Sequence, residues 1–281
     1  MFFAILETLR PKQWIKNLLI FVPLVFAREF LNLDSIAKVA ATFGIFCLAS
    51  SGVYVLNDIL DCESDRRHHT KKTRPIASGR LPKRVASVLS GALLLAALFL
   101  ATKFGTLIVV VGSYILLQIA YSLLLKHLAI IDLLSISLGF ILRIFAGGIA
   151  ANVTLSGWLL AITFLLALLL AAGKRLREIE TAGHVSRKVL AKYPPAFLQS
   201  TIKILLPAIL VSYLFYSFQA SESANFFWTA PIVVFGLLRY LLLIERKSAH
   251  ENPTDLLFHD LPLLASVVAW MFAVFAILYF A

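Results

Sequence analysis

An all-α polytopic membrane bundle of about nine transmembrane helices is the fold this sequence predicts, and three observations predict it. The 281 residues are 60% hydrophobic and only 15% charged, well past the apolar share of about half found in water-soluble domains. Apolar runs near 18–30, 36–57, 85–102, 105–125, 128–151, 156–173, 200–218, 226–244 and 261–281 approach the span length, roughly 17–25 residues for a helix. The first run is the weakest. All are continuous rather than alternating, which excludes a β-barrel. No low-complexity segment or soluble domain interrupts them, so residues 1–281 read as a single transmembrane domain.

The ends and the charges are read by position. Arg10, Lys12 and Lys16 follow the first apolar stretch and no small-residue cleavage site is visible, so the N-terminus is expected to stay attached. Two cysteines, Cys47 and Cys62, support neither a disulfide framework nor a cysteine metal site and are read as packing residues. The net charge of +11 points to a membrane surface rather than nucleic acid. Lys and Arg gather after alternate spans, at 10–16, 66–84, 126, 174–203 and 246–247. By the positive-inside rule the N-terminus is then cytoplasmic, the C-terminus outside, and the charged loops share the cytoplasmic face.

Taken in order, RPKQWIKN opens the first span, with Trp14 as an expected interfacial anchor. Lys16 and Asn17 lie where a membrane-borne phosphate would sit. The second span ends in NDILDCESDRRHHTKKTRPIASG, residues 57–79, where Asp58, Asp61 and Asp65 fall at i, i+3 and i+7. A continuing helix would put them on one face. Three carboxylates on one stripe repel unless a cation stands among them. Oxygen ligands in incomplete coordination suit Mg2+, and Asn57 could add a carbonyl or orient Asp61. The alternative is a solvated helix end pairing with Arg66, Arg67 and Lys71. Arg74-Pro75 breaks the helix, Gly79 allows a turn, and Pro82 suits the next helix start. His68 and His69 lack ligand spacing.

Tyr121 and Lys126 close the fourth span in YSLLLKH, where snorkelling is the default for the lysine. In the fifth, Asp132, Ser135, Gly139 and Arg143 share a helical face. Arg143 lies deep in an apolar run, so it is read either as functional, with the substrate-binding set, or as half of an internal salt bridge. Gly147 and Gly148 are expected to permit close helix packing. The sixth span ends in GKRLREIE, with Lys174, Arg175 and Glu178 at i, i+1 and i+4 and Arg177 pointing elsewhere. These are either surface pairs or cations for a phosphate. Asp255 and Asp260, before the last span, are read mainly as loop and cap residues.

N-D-x-x-D-x-x-x-D at Asn57 to Asp65, at the end of the second of about nine helices, resembles the first aspartate-rich motif of the UbiA superfamily of intramembrane prenyltransferases. Typical members carry a second aspartate-rich motif after the sixth span, and the two hold a prenyl diphosphate between Mg2+ ions. This chain has GKRLREIE there, with Glu178 as the single acid on the inner stripe. Together with RPKQWIKN, YSLLLKH and LRIFAGGIA, that departure is similar to the decaprenyl-phosphate phosphoribosyltransferase branch. The resemblance implies transfer of 5-phosphoribose from phosphoribosyl diphosphate to a polyprenyl phosphate, for a cell-envelope arabinan precursor. It implies that Asn57, Asp58, Asp61 and Asp65 bind Mg2+ and the diphosphate. It implies substrate contacts at Lys16, Arg74, Tyr121, Lys126, Lys174, Arg175 and Glu178, with Asp58, Asp61 and Lys174 carrying the chemistry. It places the chain in a bacterial inner membrane with the site facing the cytoplasm, and leaves room for a homo-oligomer.

Physical chemistry agrees with that expectation. A donor with a diphosphate and a separate 5-phosphate needs a metal at one end and cations at the other, whereas two acidic motifs would repel the second phosphate. An ionised lipid phosphate needs no strong general base, so catalysis would rest on positioning and on stabilising the departing diphosphate. The competing enzyme is a UbiA-type prenyltransferase moving a prenyl group from its diphosphate to a small aromatic acceptor, with Asp255 or Asp260 replacing the second acidic motif. A transporter using Asp61 and Arg143 as pathway charges is a third reading. Few charges lie deep in the spans, which argues against it.

Overall fold

The computed structural model describes residues 1–67, 70–182, 189–220, 224–246, 256–257 and 259–280. Among them the regular structure is helical. Seven helices are long and apolar enough to cross a membrane: Leu33–Leu60, Lys83–Phe104, Ile131–Ala151, Gly157–Glu180, Pro195–Phe218, Asn225–Glu245 and Leu261–Phe280. An eighth apolar helix, Leu107–Leu123, is shorter. Large apolar side chains such as Val88, Leu116, Ile204 and Phe272 point outward, as a surface solvated by acyl chains requires. The chain is a multi-pass membrane protein.

The first expected span takes a different form. After α1 (Phe2–Leu9) comes an eleven-residue 3-10 helix, Pro11–Phe21, and then the short α2 (Val22–Phe26). Pro23 has no amide to offer the Leu19 carbonyl, which takes the Val22 amide instead, the tighter i→i+3 pattern. Side chains tie the segment inward. The indole of Trp14, the expected interfacial anchor, donates to Ser51 at 3.0 Å.

Contacts divide the chain into two compact units. The first comprises residues 1–126 and 139–154. It holds α3 (Leu33–Leu60), α4 (Cys62–Arg66), α5 (Lys83–Ala101), α6 (Leu107–Leu123) and most of α7 (Ile131–Ala151). Its α3–α5 contact relies on small residues, with Ser90 donating to the Gly52 carbonyl at 2.8 Å. Gly147 of α7 admits the 3-10 segment, because a Cβ there would collide with the Ile20 carbonyl. The main core gathers Ile20, Phe46, Val111, Tyr114 and Ala146.

The second unit comprises residues 127–138 and 155–281. It holds the start of α7, α8 (Gly157–Ala182), α9 (Pro195–Phe215), α10 (Ala230–Glu245) and α11 (Leu261–Phe280). Leu169, Leu176, Leu198, Ile202 and Leu263 belong to its core.

Candidate metal and anion site

α3 ends at Leu60. Asp61 caps it with φ −86° and ψ 0°, and α4 restarts at Cys62. The amides of Asp61 and Asp65 still bond back four residues, to Asn57 and Asp61, so the stripe survives a small break. Asp58 and Asp65 remain on one face and converge on a single nitrogen. Arg74 Nη1 donates to Asp58 Oδ1 at 3.1 Å and to Asp65 Oδ2 at 2.6 Å. Asp61 turns away to Lys126, whose ammonium lies 2.7 Å from Oδ1. Asn57 is half-buried beside them.

The Arg74-Pro75 break and Gly79 make that convergence possible. Pro75 starts a turn in which Gly79 takes φ 79°, a backbone region open to glycine, and the loop folds back so that Leu81 donates to the Pro75 carbonyl. Arg10 is the residue the spacing arguments missed. Its Nη2 lies 2.5 Å from Asp58 Oδ1 and its guanidinium stacks on Tyr54, 5.4 Å from the ring centroid. Lys16 and Tyr121 are half-buried, on the 3-10 segment and near the end of α6.

Deeper in the first unit, Arg143 is 4% exposed. It donates to Asn17 Oδ1 (2.8 Å), the Gly139 carbonyl (2.7 Å) and the Tyr114 hydroxyl (3.1 Å), and its guanidinium sits over the Tyr114 ring. Among the described residues no carboxylate pairs with it, so of the two readings of Arg143 the internal salt bridge is the one the structure removes. Neutral dipoles and a π-face solvate the charge instead. Asn17 also reaches Ser50 and Cys47, so Arg143 fastens the 3-10 segment to α3, α6 and α7.

The second unit contains a closed ion cluster. Arg175, 1% exposed, donates to Asp132 Oδ2 at 2.8 Å and to Glu178 Oε2 at 2.6 Å. Tyr193 donates a hydrogen bond to Asp132 Oδ1 at 2.5 Å and accepts one from the Ile130 amide. Burial, and then the bond to Asp132, pushes the Tyr193 phenol well above its ordinary pKa, so it stays a donor. Arg175, expected at a substrate, lies here between two buried acids. Lys174 is the more open cation, its ammonium 3.9 Å from Glu178 Oε1. Arg177 does point elsewhere, to Glu180 at 3.0 Å. Asp260 chelates Arg239 at 2.7 and 3.0 Å and caps α11 through the Leu263 amide. Asp255, His68 and His69 lie outside the described residues.

The sequence profile described as the UbiA prenyltransferase family matches residues 18–261. The chain belongs to this family. Among its UbiA relatives is a protein of Corynebacterium glutamicum named decaprenyl-phosphate phosphoribosyltransferase, 36% identical over 98% of this chain and 87% of that protein. One of the same name from Mycolicibacterium smegmatis is 35% identical over 99% of this chain and 93% of its own length. In fold, the chain is similar to a UbiA homolog from Archaeoglobus fulgidus. That protein bound to DMAPP and Mg2+ aligns with a TM-score of 0.74 at 18% identity, covering 99% and 100% of the two chains. Its GPP and Mg2+ complex gives 0.76 at 17% identity, covering 98% and 99%.

Within this UbiA chain the donor set at the end of α3 fits a hard divalent cation. It is all oxygen, it is acidic, and two of its carboxylates already converge on one positive nitrogen. Among the described residues no three acidic, His or Cys side chains are preassembled around a metal position. Guanidinium and ammonium groups stand between them.

Proposed function

We propose that this chain transfers a 5-phosphoribosyl group from phosphoribosyl diphosphate to a polyprenyl phosphate of the decaprenyl type. The reaction uses Mg2+ at the cytoplasmic side of a bacterial inner membrane, with residues 1–281 acting as one transmembrane domain. The end of α8 carries this reading. Glu178, the acid of that stretch on the inner stripe, is engaged by Arg175 and Lys174, so the stretch offers cations where a prenyl diphosphate enzyme needs a second acidic metal site. A donor with a separate 5-phosphate suits that charge, since a second acidic site would repel it. The names of the bacterial relatives support the same donor and acceptor. Asp260, a possible substitute acid, is occupied by Arg239 and the α11 cap.

In this reading Asp58, Asp61 and Asp65, with Asn57, hold the divalent cation. A cation bound there neutralises diphosphate oxygens as they take up charge. Arg74 and Lys126 donate to the same oxygens. The C1–O bond to diphosphate breaks, its electron pair leaving with the diphosphate, and a C1–O bond to the lipid phosphate forms with inversion. The acceptor phosphate is already ionised at neutral pH, so no side chain has to remove a proton. Lys16 and Tyr121 are assigned to substrate phosphate, and Lys174 to charge stabilisation on the donor. Arg175 positions α8 through Asp132 and Glu178, and Arg143 positions the 3-10 segment through Asn17.

The test is incubation of the detergent-purified protein with phosphoribosyl diphosphate, Mg2+ and a polyprenyl phosphate, followed by mass analysis of the lipid. The expected product is the 5-phosphoribosylated lipid with release of diphosphate, abolished by EDTA. An unchanged lipid, with turnover instead of a prenyl diphosphate and an aromatic acceptor, would overturn the proposal.

A further inference from the structure

Asp58, Asp61 and Asp65 bring three negative charges to the end of α3, and Arg10, Arg74 and Lys126 answer them with three positive ones. Side chains alone balance the cluster. A divalent cation arriving by itself would add positive charge to a neutral site and would have to displace groups held at 2.5–3.1 Å. Arriving with a diphosphate, it brings the anion that the displaced guanidinium and ammonium groups require.

Arg10 is the cation most clearly built for that exchange. It caps α1 in the left-handed region, φ 54°, its amide bonded to the Glu7 carbonyl, an ordinary way for a helix to end. That cap leaves the guanidinium on Asp58, 27% open to solvent, with the Tyr54 ring supporting its face. A simple surface ion pair has neither a buried carboxylate nor an aromatic platform.

Resting on the reading that these aspartates seat a metal diphosphate, we propose that Arg10, Arg74 and Lys126 are exchangeable counter-ions of the three aspartates. Metal and diphosphate enter together, and Arg10 passes from Asp58 to the diphosphate, which makes it a further substrate-binding residue. Each ligand then raises the affinity for the other, by reciprocal linkage. Neutralising Arg10 has opposite effects on the two ligands. It frees Asp58 for a metal and removes a contact to phosphate.

Equilibrium dialysis of the full chain in detergent, with Mn2+ as the metal probe and labelled pyrophosphate as the anion, reads both effects without turnover. Wild type should bind Mn2+ weakly alone and pyrophosphate well at fixed free Mn2+. Arg10→Gln should bind Mn2+ alone about tenfold more tightly and pyrophosphate about tenfold more weakly, as loss of one charge-assisted contact predicts. Arg10→Lys keeps the charge but not the fork. Its Mn2+ affinity should stay at the wild-type value while pyrophosphate binding falls several-fold. Unchanged or weaker Mn2+ binding in Arg10→Gln overturns the exchange, and if that variant does not fold, undiminished pyrophosphate binding in Arg10→Lys overturns it. Asp61→Asn separates the underlying reading. If it retains Mn2+-dependent pyrophosphate binding, the aspartates are not the metal seat and both proposals fall.

Discussion

Among the described residues each unit builds an ion cluster from the same materials, and the one in the second unit is the more closed to solvent. In the second unit Asp132 and Arg175 are 0% and 1% exposed, Glu178 also accepts from Arg175, and Tyr193 donates to Asp132 while accepting the Ile130 amide. At the end of α3, Asp58 and Asp65 are as buried, but their partner Arg74 keeps 26% of its side chain open, and Asp61 and Lys126 keep 30% and 15%. A buried, satisfied cluster rigidifies its surroundings and exchanges nothing with solvent. One whose cations reach water can trade them. Burial of the positive partner, more than the number of charges, separates a strut from a site.

The largest way to break the comparison is to remove an acid from the open cluster. Asp58→Ala is expected to lower turnover by at least about a hundredfold, the scale at which a lost charge-stabilising group acts, with the protein still folded in detergent. EDTA on wild type should mimic it. Initial rates beside size-exclusion profiles check both halves.

The closed cluster should answer in stability. Arg175→Met strands Asp132 in the core, and breaking such a pair costs about 3–5 kcal/mol, read as a large drop in melting temperature. Adding Asp132→Leu should recover much of the loss, because a buried pair replaced by apolar groups is often neutral. Failure of the double variant to recover would mean the cluster does more than hold helices.

Lys174→Ala sharpens the contrast within GKRLREIE. Removing an open cation should raise the apparent KM for phosphoribosyl diphosphate by ten- to a hundredfold, or about 1.5–3 kcal/mol for a charge-assisted contact. The KM for the lipid should move far less. A loss wholly on the lipid side would favour the prenyl diphosphate enzyme.

The smallest effect is expected at Asp260, whose carboxyl is held below its ordinary pKa by the hydrogen bond from Arg239, which outweighs the opposing cost of burial and is helped by the Leu263 amide and the Arg239 charge. A depressed folded pKa gives stability above the unfolded value, about 3.9 for Asp, that is lost as pH falls through the folded value. Melting curves of wild type and Asp260→Asn should therefore differ slightly at neutral pH and converge well below pH 4.

Local spacing made part of this legible. Asp58, Asp61 and Asp65 lie within eight positions, so helical geometry alone suggests their grouping, and Arg74 is only nine positions past Asp65. Arg10 is 48 residues from Asp58, and Arg175 is 43 from Asp132. No periodicity connects residues that far apart, so Arg175 read as an open cation and Arg10 as a topology signal. Arg143 misled for another reason. A buried charge suggests a countercharge, and nothing in the composition shows that a carbonyl, an amide and a tyrosine will serve. The spans were readable from apolar length except the first, where the consequence of Pro23 and the polar ties of Trp14 and Asn17 depend on tertiary contacts.

The most direct test compares two single-atom-scale changes, Asp61→Asn in the open cluster and Asp132→Asn in the closed one, measuring Mg2+-dependent binding of labelled phosphoribosyl diphosphate and melting temperature on each. Asp61→Asn should lose donor binding and melt like wild type, while Asp132→Asn should melt markedly lower and, where still folded, bind the donor. Wild-type donor binding in Asp61→Asn, with its loss confined to Asp132→Asn at unchanged melting temperature, would contradict the account.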